Sequence, residues 1–436
     1  MTTTTKSDAP RPSTPPPPDP DEVHNSPFQN YVRDIMGGSA VLSVLAVVIA
    51  LVVGAVLIAV TDPGVQAASA YFFGRPSDTL TAIWSAISGA YAALFQGAVY
   101  NFGASDFLGG IKPLTDTLAD STSLIAAGLG IALSFRIGLF NIGGQGQILA
   151  AAACAGWVGF TVHAPFPLLL ILALLAGLFG GAIWAGIVGF LKAQTGANEV
   201  IVTIMLNFVA FYLVSYLLKV PVLQAPGSTN PKTAPMLPGA IFPPLLGPNY
   251  LLTIGFLFVI AATVFLWWLL NRSSLGFQFR AIGDNPRAAR TAGINVNRLY
   301  VYGMLISGAL VGLAGANQVQ GVITSGFSSG IDSGIGFSAI TVALLGRSKP
   351  WGVFGAGILF GAFQAGGYTM QAAQNVPVDI VLVVQSVIVL FLAAPPLVRT
   401  IFHLPTPGST PKPAQKKSAP GSAQKAEIVQ KEGAAQ

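Results

Sequence analysis

Amide and aromatic side chains lie close together in one glycine-rich stretch, Gly138-Leu-Phe-Asn-Ile-Gly-Gly-Gln-Gly-Gln147. Such side chains can hydrogen-bond to a neutral polar ring compound and stack on it without needing a charge. The glycines would allow a broken helix whose backbone polar groups face a cavity. The alternative is close helix packing with amide cross-links. The candidate residues of this stretch are Phe140, Asn141, Gln145 and Gln147.

A second polar stretch, Gly196-Ala-Asn-Glu-Val-Ile-Val-Thr-Ile-Met-Leu-Asn207, places polar residues on one face of a predicted helix. Glu199 and Asn207 are eight residues apart, hence within about 40° of each other at 3.6 residues per turn, and Thr203 lies between them. This face could line a path for a polar solute. The alternative for Glu199 is a first-turn acid that the helix dipole favours.

A third stretch is the basic loop from Asn271 to Asn295, which is polar and too long for a tight turn. Asp284 or Asn285 can cap a helix, Pro286 suits its first position, and a glycine suits its left-handed end. We therefore predict a short helix over 287–292. The alternative is a solvated basic loop that sets the membrane topology. Three small residues would let the helix sit in a groove on another protein: Ala288, Ala289 and Ala292.

Several kinds of chemistry are absent from the sequence. No Gly-Lys pair occurs, so there is no G-x-x-x-x-G-K-[ST] loop to hold ATP phosphates. The single cysteine, Cys154, and the scattered His24, His163 and His403 form no metal-binding pattern. Ion-driven carriers usually place acids inside the membrane, and here Glu199 is the only acid of an apolar run away from a predicted external end. If the chain moves solute uphill, another protein must supply the energy.

The composition indicates which kind of protein carries these stretches. Charged residues make up 9% of the 436 residues and hydrophobic residues 53%, whereas soluble domains are roughly 25% charged. Outside 1–38 and 398–436, the chain has only 13 basic and 9 acidic side chains. This excludes an ordinary soluble enzyme, a secreted domain and a disordered chain. The net charge of +6 is spread between apolar runs and does not indicate nucleic-acid binding.

We predict an all-α polytopic membrane protein with about ten transmembrane helices, since a span needs about 20 mostly apolar residues. The eighth predicted span is short and lies in a region rich in Gly and Ser, so it could be broken or re-entrant. The predicted spans are about 39–60, 118–135, 140–162, 166–190, 198–218, 250–270, 299–320, 333–346, 351–371 and 379–397.

Charge bias sets the predicted orientation, because basic residues in short loops favour the cytoplasm. Placing the loop 271–298 inside puts nine of the 13 internal basic residues on the cytoplasmic side. Both tails are then cytoplasmic, and 80–103 becomes an external helix lying on or dipping into the bilayer. The predicted organisation is a disordered Pro-rich tail 1–38, a transmembrane domain 39–397 with an external insertion at about 61–117, and a disordered basic tail 398–436.

The three stretches together resemble the membrane permease subunit of a bacterial ABC importer. The closest class comprises permeases for branched-chain amino acids, simple sugars and nucleosides, and the match in order and spacing covers roughly 115–400. The first two stretches look most like the nucleoside and simple-sugar branch. The tails and 62–117 are not covered by the resemblance.

The resemblance implies a role for each stretch. The third stretch looks like the coupling helix that docks on a cytoplasmic ATPase, with Gly283 at the family's characteristic glycine, and the first looks like the family's pore-lining region. It implies no catalytic residue, bound cofactor or metal in this chain, because ATP is used by the partner. The implied coupling residues are Arg280, Gly283, Asp284, Asn285, Arg287, Ala288, Ala289, Arg290 and Gly293; the implied pathway residues are Phe140, Asn141, Gln145, Gln147, Glu199, Thr203 and Asn207.

The resemblance also implies partners and a location. The chain would lie in the plasma (inner) membrane with a P-loop ATPase subunit, a second permease subunit and an extracytoplasmic solute-binding lipoprotein. A heterodimer of permeases is slightly favoured over a homodimer. The expected solute is a nucleoside, with simple sugars and branched-chain amino acids left open. The rival classes are an ion-coupled carrier that uses Glu199 and a passive channel or scaffold.

Overall fold

The computed structural model describes residues 39–393 and residue 400. The predicted tails, 1–38 and 398–436, lie outside the described residues apart from residue 400, and so does the end of the tenth predicted span. Residues Ala46–Ala394 form one compact unit, which contains every candidate site residue.

The described residues are organised as fourteen α-helices. A π-helical turn, Gln318–Val322, continues the eleventh helix without a break. The helices are α1 Ser39–Thr61, α2 Pro63–Ser69, α3 Pro76–Ala98, α4 Phe107–Arg136, α5 Gly144–Thr161, α6 Leu168–Thr195, α7 Glu199–Leu217, α8 Gly255–Arg272, α9 Ser274–Asp284, α10 Pro286–Thr291, α11 Val296–Asn317, α12 Ile335–Leu345, α13 Pro350–Gln374 and α14 Val378–Ala393.

Length and composition qualify several of these helices as membrane spans. Within the described residues, α4, α6, α7, α8 and α11 with its π-helical turn are each long and apolar enough to cross a membrane. Helices α1 and α2 are bent by 68° and together give a sixth candidate. Helix α12 is short and apolar, like the eighth predicted span. The all-α polytopic class is confirmed, whereas the count of ten stays a prediction.

Helix α4 lies at the centre of the bundle. Every residue from Ser121 to Ser134 is buried, and most are small or aliphatic, as expected for a helix surrounded by other helices. A Cβ at Gly130 would overlap the Ser307 carbonyl of α11, and one at Gly128 would touch Val342 and Val353. The small residues therefore let the neighbouring backbones approach α4 closely.

Glycines also set the contact between α6 and α11. A Cβ at Gly181 would overlap the carbonyl oxygen of Gly308, and a Cβ at Gly312 would lie 2.6 Å from the carbonyl oxygen of Gly177. Gly177 and Gly181 on α6, like Gly308 and Gly312 on α11, are four residues apart, a spacing that lets helix backbones approach closely.

The segment between α1 and α4 is largely helical. Helix α3 packs along α13, where Gly97 lies against Thr369 and Gly366 lies against the Leu94 carbonyl. Its first half leaves Trp84 73% exposed. Helix α4 begins at Phe107, inside the range predicted as an external insertion. The external position of α3 stays a prediction.

The Pro-rich loop between α7 and α8 covers one end of the bundle. Backbone hydrogen bonds tie it to the body, from the Leu237 amide to the Gly159 carbonyl at 3.1 Å and from the Phe242 amide to the Gln320 carbonyl at 2.8 Å. Gln320 is buried and donates from Nε2 to the Ala240 carbonyl at 2.9 Å. The loop 219–249, which contains eight prolines, is therefore hydrogen-bonded to the body of the bundle.

Candidate functional site

The chain is not helical just before α5, which begins at Gly144, and this is the break that the glycine-rich stretch predicts. Residues 138–143 are not helical, and Gly138 has a φ of +82°, which glycine adopts without strain. The Asn141 side chain accepts a hydrogen bond from the Gly143 amide at 2.8 Å. Asn141 thus stabilises the non-helical backbone just before α5.

Asn141 is the centre of a buried hydrogen-bond network. It is 0% exposed, and its Oδ1 also accepts from Nε2 of Gln147 at 3.1 Å. Its Nδ2 faces the Ser307 and Ser134 hydroxyls at 3.4 and 3.5 Å. The Ser307 hydroxyl in turn donates to the Gly130 carbonyl at 2.7 Å. The two serines belong to the site, and the sequence reasoning missed them.

The polar face of α7 meets the same broken segment. Asn207 donates to the Ile142 carbonyl at 2.9 Å and accepts from the Gly146 amide at 2.8 Å. Thr203, which is 0% exposed, lies 3.4 Å through Oγ1 from the Ile142 amide. The predicted face therefore contacts the predicted broken segment. We call Asn141, Gln147, Thr203 and Asn207 the buried cluster.

The side chains of the buried cluster contact this chain's own backbone and side chains and do not border open space. All four side chains are at most 4% exposed, and both amides of Asn141 and Asn207 are paired within the chain. Gln147 Oε1 is the exception, since it has no hydrogen-bond partner among the described residues. The geometry matches the amide cross-linking that the sequence left open as an alternative.

The other predicted pathway residues lie around the buried cluster. Phe140 is 42% exposed and stacks on Phe135, with 4.8 Å between ring centroids. Gln145 is partly buried, and its backbone packs against Gly336. Glu199 forms an ion pair with Lys192 at 2.7 Å between Oε2 and Nζ. This ion pair links the first turn of α7 to the last turn of α6.

The basic loop forms two helices that we call the docking segment, Ser274–Thr291. The prediction of a short helix is confirmed: α10 is Pro286–Thr291, and the Asn285 side chain accepts from the amides of Arg287 and Ala288 at 3.0 and 3.1 Å. Gly293 has the expected positive φ of +82°. Helix α9, which the sequence reasoning treated as loop, precedes it and buries Phe279 and Ile282 completely.

Gly283 joins the docking segment to the end of α4. A Cβ at this position would overlap the Arg136 carbonyl oxygen, and the Gly283 Cα lies within 3.4 Å of where a Cβ of Gly138 would sit. The contact therefore needs glycine. It connects the docking segment to the backbone that leads directly into the buried cluster.

The predicted coupling residues divide into an exposed set and a set that packs against this chain. Ala289 is 4% exposed and packs into this chain's own core, so it is unavailable to a partner, whereas Ala288 and Ala292 are exposed. Arg280 is partly buried. The exposed coupling residues are Asp284, Asn285, Arg287, Ala288, Arg290 and Gly293.

A polar cavity of about 270 Å³ lies between α4, the π-helical turn, the start of α12 and α13, and the sequence reasoning missed it. The π-helical turn forms one wall, and π-helical turns often mark functional sites. Three amides within four residues, Asn317, Gln318 and Gln320, are the signal that could have revealed it. The polar residues lining the cavity are Asp120, Ser123, Gln318, Ser333, Gln364 and Tyr368.

Side chains beside the cavity are fixed in part. The Ser123 hydroxyl accepts from Nδ2 of Asn317 at 2.9 Å and from Nε2 of Gln318 at 3.2 Å. Asn317 Oδ1 is buried without a partner among the described residues. Asp332 accepts from the amides of Gly334 and Gly336 at 3.1 and 3.0 Å. Burial raises the pKa of Asp332, and the two amides oppose that shift.

Comparison with known proteins identifies the class. Residues 114–393 match the family described as branched-chain amino acid transport system / permease component. The chain belongs to this family of ABC transporter permeases, and it is a multi-pass membrane protein. No solved structure matches the chain.

Three relatives indicate the range of the family. The guanosine ABC transporter permease protein NupP of Bacillus subtilis is 34% identical over 315 residues, covering 72% of this chain and 88% of the relative. The glucose ABC transporter permease protein TsgB13 of Haloferax volcanii is 36% identical over 288 residues, covering 64% and 75%. The nucleoside ABC transporter permease protein NupB of Lactococcus lactis is 32% identical over 295 residues, covering 66% and 80%. The predicted resemblance is confirmed, and the chain is the permease subunit of an ABC importer.

Proposed function

We propose that this chain forms the translocation path for a nucleoside and that a separate ATPase subunit drives it through the docking segment. The observation that carries the proposal is the Gly283 contact. Gly283, near the end of α9, touches the end of the central helix α4 backbone to backbone, and the exposed capped helix α10 begins three residues later. A partner that moves α10 therefore acts on the segment 138–143 without any intervening side chain.

The exposed residues of α10 suit a protein partner. Arg287 and Arg290 are exposed, neither forms an ion pair with a described carboxylate, and Ala288 between them leaves room for close approach. Charged groups at the rim of an interface give orientation and fast association more than affinity. The partner is a P-loop ATPase that hydrolyses ATP, because this sequence has no phosphate-binding loop.

The polar cavity suits the solute. A carboxylate and amides can hydrogen-bond to ribose hydroxyls and to the edge of a base, and the Tyr368 ring can stack on the base. The volume of about 270 Å³ lies just below the usual range for small-molecule sites, roughly 300–1,000 Å³. Two of the three relatives described above are named for guanosine or nucleosides, and one for glucose.

The positions of the polar cavity and of the basic residues support the proposed orientation of the chain in the membrane. The polar cavity involves Asp120, Gln318 and Gln364, which lie far along their helices from Arg136, Arg298 and Lys349. Basic residues favour the cytoplasmic side, so the cavity faces outward and the docking segment faces inward. Both tails are then cytoplasmic. An external binding lipoprotein delivers solute, and a second permease subunit completes the channel.

The test is uptake by the reconstituted transporter. Vesicles containing the permease, its ATPase and its binding protein should take up labelled guanosine only when ATP is present on the side of the membrane where the ATPase lies. Arg287→Glu with Arg290→Glu should lower ATPase association and uptake by about 10-fold or more, since like charges across an interface cost several kcal/mol. Arg272→Glu, an exposed arginine at the end of α8, is the matched control.

Other outcomes separate the rival functions. Glucose uptake without guanosine uptake would assign the chain to a sugar transporter. Uptake driven by a proton or sodium gradient without the ATPase would assign it to the ion-coupled carriers. Unchanged co-purification of the double variant with the ATPase would remove the docking role from α10.

A further inference from the structure

A basic cavity of about 370 Å³ lies at the end of the bundle that carries the docking segment. Four elements form it: the end of α4, the end of α8, the middle of α9 and the start of α13. Three of its lining residues are cationic and none is acidic: Arg136, Arg280 and Lys349.

The three cations lack a counter-charge. Neither Arg280 nor Lys349 forms an ion pair with a described carboxylate. Arg136 donates from Nε to the Ser348 carbonyl at 3.0 Å, which fixes its guanidinium and leaves the two terminal nitrogens for another acceptor. Like charges held around one cavity repel each other, so an anion bound between them stabilises this arrangement. Arginine suits phosphate oxygens geometrically, and lysine adds a point charge.

The walls of the cavity indicate which anion fits. Trp267 and Trp351 line it and are 37% and 50% exposed, and tryptophans concentrate at the headgroup level of a bilayer. Leu270 and Pro350 add apolar surface. A ligand that bears a phosphate and continues into hydrocarbon matches both parts. Basic pockets between membrane helices are known to hold anionic headgroups.

We propose that this cavity binds the phosphate of an anionic phospholipid. The lipid would connect α4, α9 and α13, and because Arg280 belongs to α9 it would hold the docking segment against the bundle. The inference rests on the cations and the tryptophans and does not depend on which solute is transported.

The experiment measures lipid retention by the purified full-length chain. Native mass spectrometry would titrate phosphatidylglycerol, with phosphatidylcholine as the neutral comparison. We expect Lys349→Gln to weaken phosphatidylglycerol binding about 5-fold and Arg280→Gln with Lys349→Gln about 30-fold, from the typical contribution of each basic residue near an anionic lipid. Arg272→Gln removes an exposed arginine that does not line the cavity and should bind lipid as the wild type does. Lys349 is exposed, so the single variant is expected to fold.

The outcomes either support the proposal or overturn it. Selective loss of phosphatidylglycerol in the cavity variants, with no displacement by excess inorganic phosphate, supports a lipid site. Equal lipid retention by wild type and both cavity variants overturns it. Displacement by inorganic phosphate would assign the cavity to a free anion. Unchanged lipid binding with lost ATPase co-purification would assign the three cations to the ATPase interface.

Discussion

The buried cluster and the polar cavity contain the same kinds of side chains in opposite situations. In the buried cluster, the amides of Asn141 and Asn207 bond to backbone and side chains of this chain. At the polar cavity, Gln364 is exposed and borders open space, whereas Gln318 also lines the cavity but keeps a hydrogen bond to Ser123. An amide-rich sequence therefore does not by itself indicate solute binding. What decides is whether the chain's own backbone already occupies the hydrogen-bonding groups.

Asn141→Ala is the substitution with the largest expected effect on the stability of the buried cluster. The substitution leaves the Gly143 amide and the Gln147 side chain without their acceptor in a fully buried place. We expect a loss of about 2–4 kcal/mol in stability, since each unsatisfied buried group costs about 1–3 kcal/mol. Thermal denaturation of the purified chain in detergent measures it.

Gln145→Ala is the control for that experiment, because Gln145 is partly buried and its side chain forms no hydrogen bond among the described residues. Its stability should stay near that of the wild type. Normal thermal stability of Asn141→Ala together with poor uptake would contradict the structural role and return Asn141 to the solute path.

Asn207→Ala tests the other side of the buried cluster. It removes the acceptor of the Gly146 amide and the donor to the Ile142 carbonyl, so we expect a loss of about 2 kcal/mol. Thr203→Val should cost less, because the Thr203 contact with Ile142 is long at 3.4 Å. The ranking is measured in the same denaturation assay. Equal effects of the two substitutions would show that α7 does not hold the broken segment through Asn207.

The smallest stability effect, with a clear effect on transport, is expected at the polar cavity. Gln364→Ala should leave thermal stability unchanged and raise the guanosine KM about 5-fold, the equivalent of one hydrogen bond of about 1 kcal/mol. Gln371→Ala is a matched control on the same helix, since Gln371 is exposed and does not line the cavity. Equal guanosine KM values for Gln364→Ala and Gln371→Ala would show that the cavity is not part of the solute path.

Local features of the fold could be predicted from the sequence. The capped helix α10 follows from Asn285, Pro286 and the later Gly293, because caps act within one turn. The break before α5 follows from the glycines between 138 and 146. The sequence predicts an apolar span only from about 118, whereas α4 begins at Phe107, because Lys112, Pro113 and nearby acids interrupt the apolar pattern without ending the helix.

Long-range features could not be predicted in the same way. The pairing of Asn207 with Ile142 joins residues 65 apart in sequence, and no local pattern encodes it. The polar cavity is assembled from residues of α4, the π-helical turn, α12 and α13. None of these segments has a distinctive polar pattern when it is taken alone. Helix α9 was missed because its polar residues and its two glycines are typical of a loop. The glycine at 276 instead allows close contact with the Leu269 carbonyl.

The meeting of Gly138 and Gly283 has a mechanical consequence. Because the two backbones touch without an intervening side chain, no rotamer change can absorb a small displacement at this contact. We expect a movement of the docking segment to reach the segment 138–143 directly. A bulkier residue at either position would separate the two backbones and weaken this transmission.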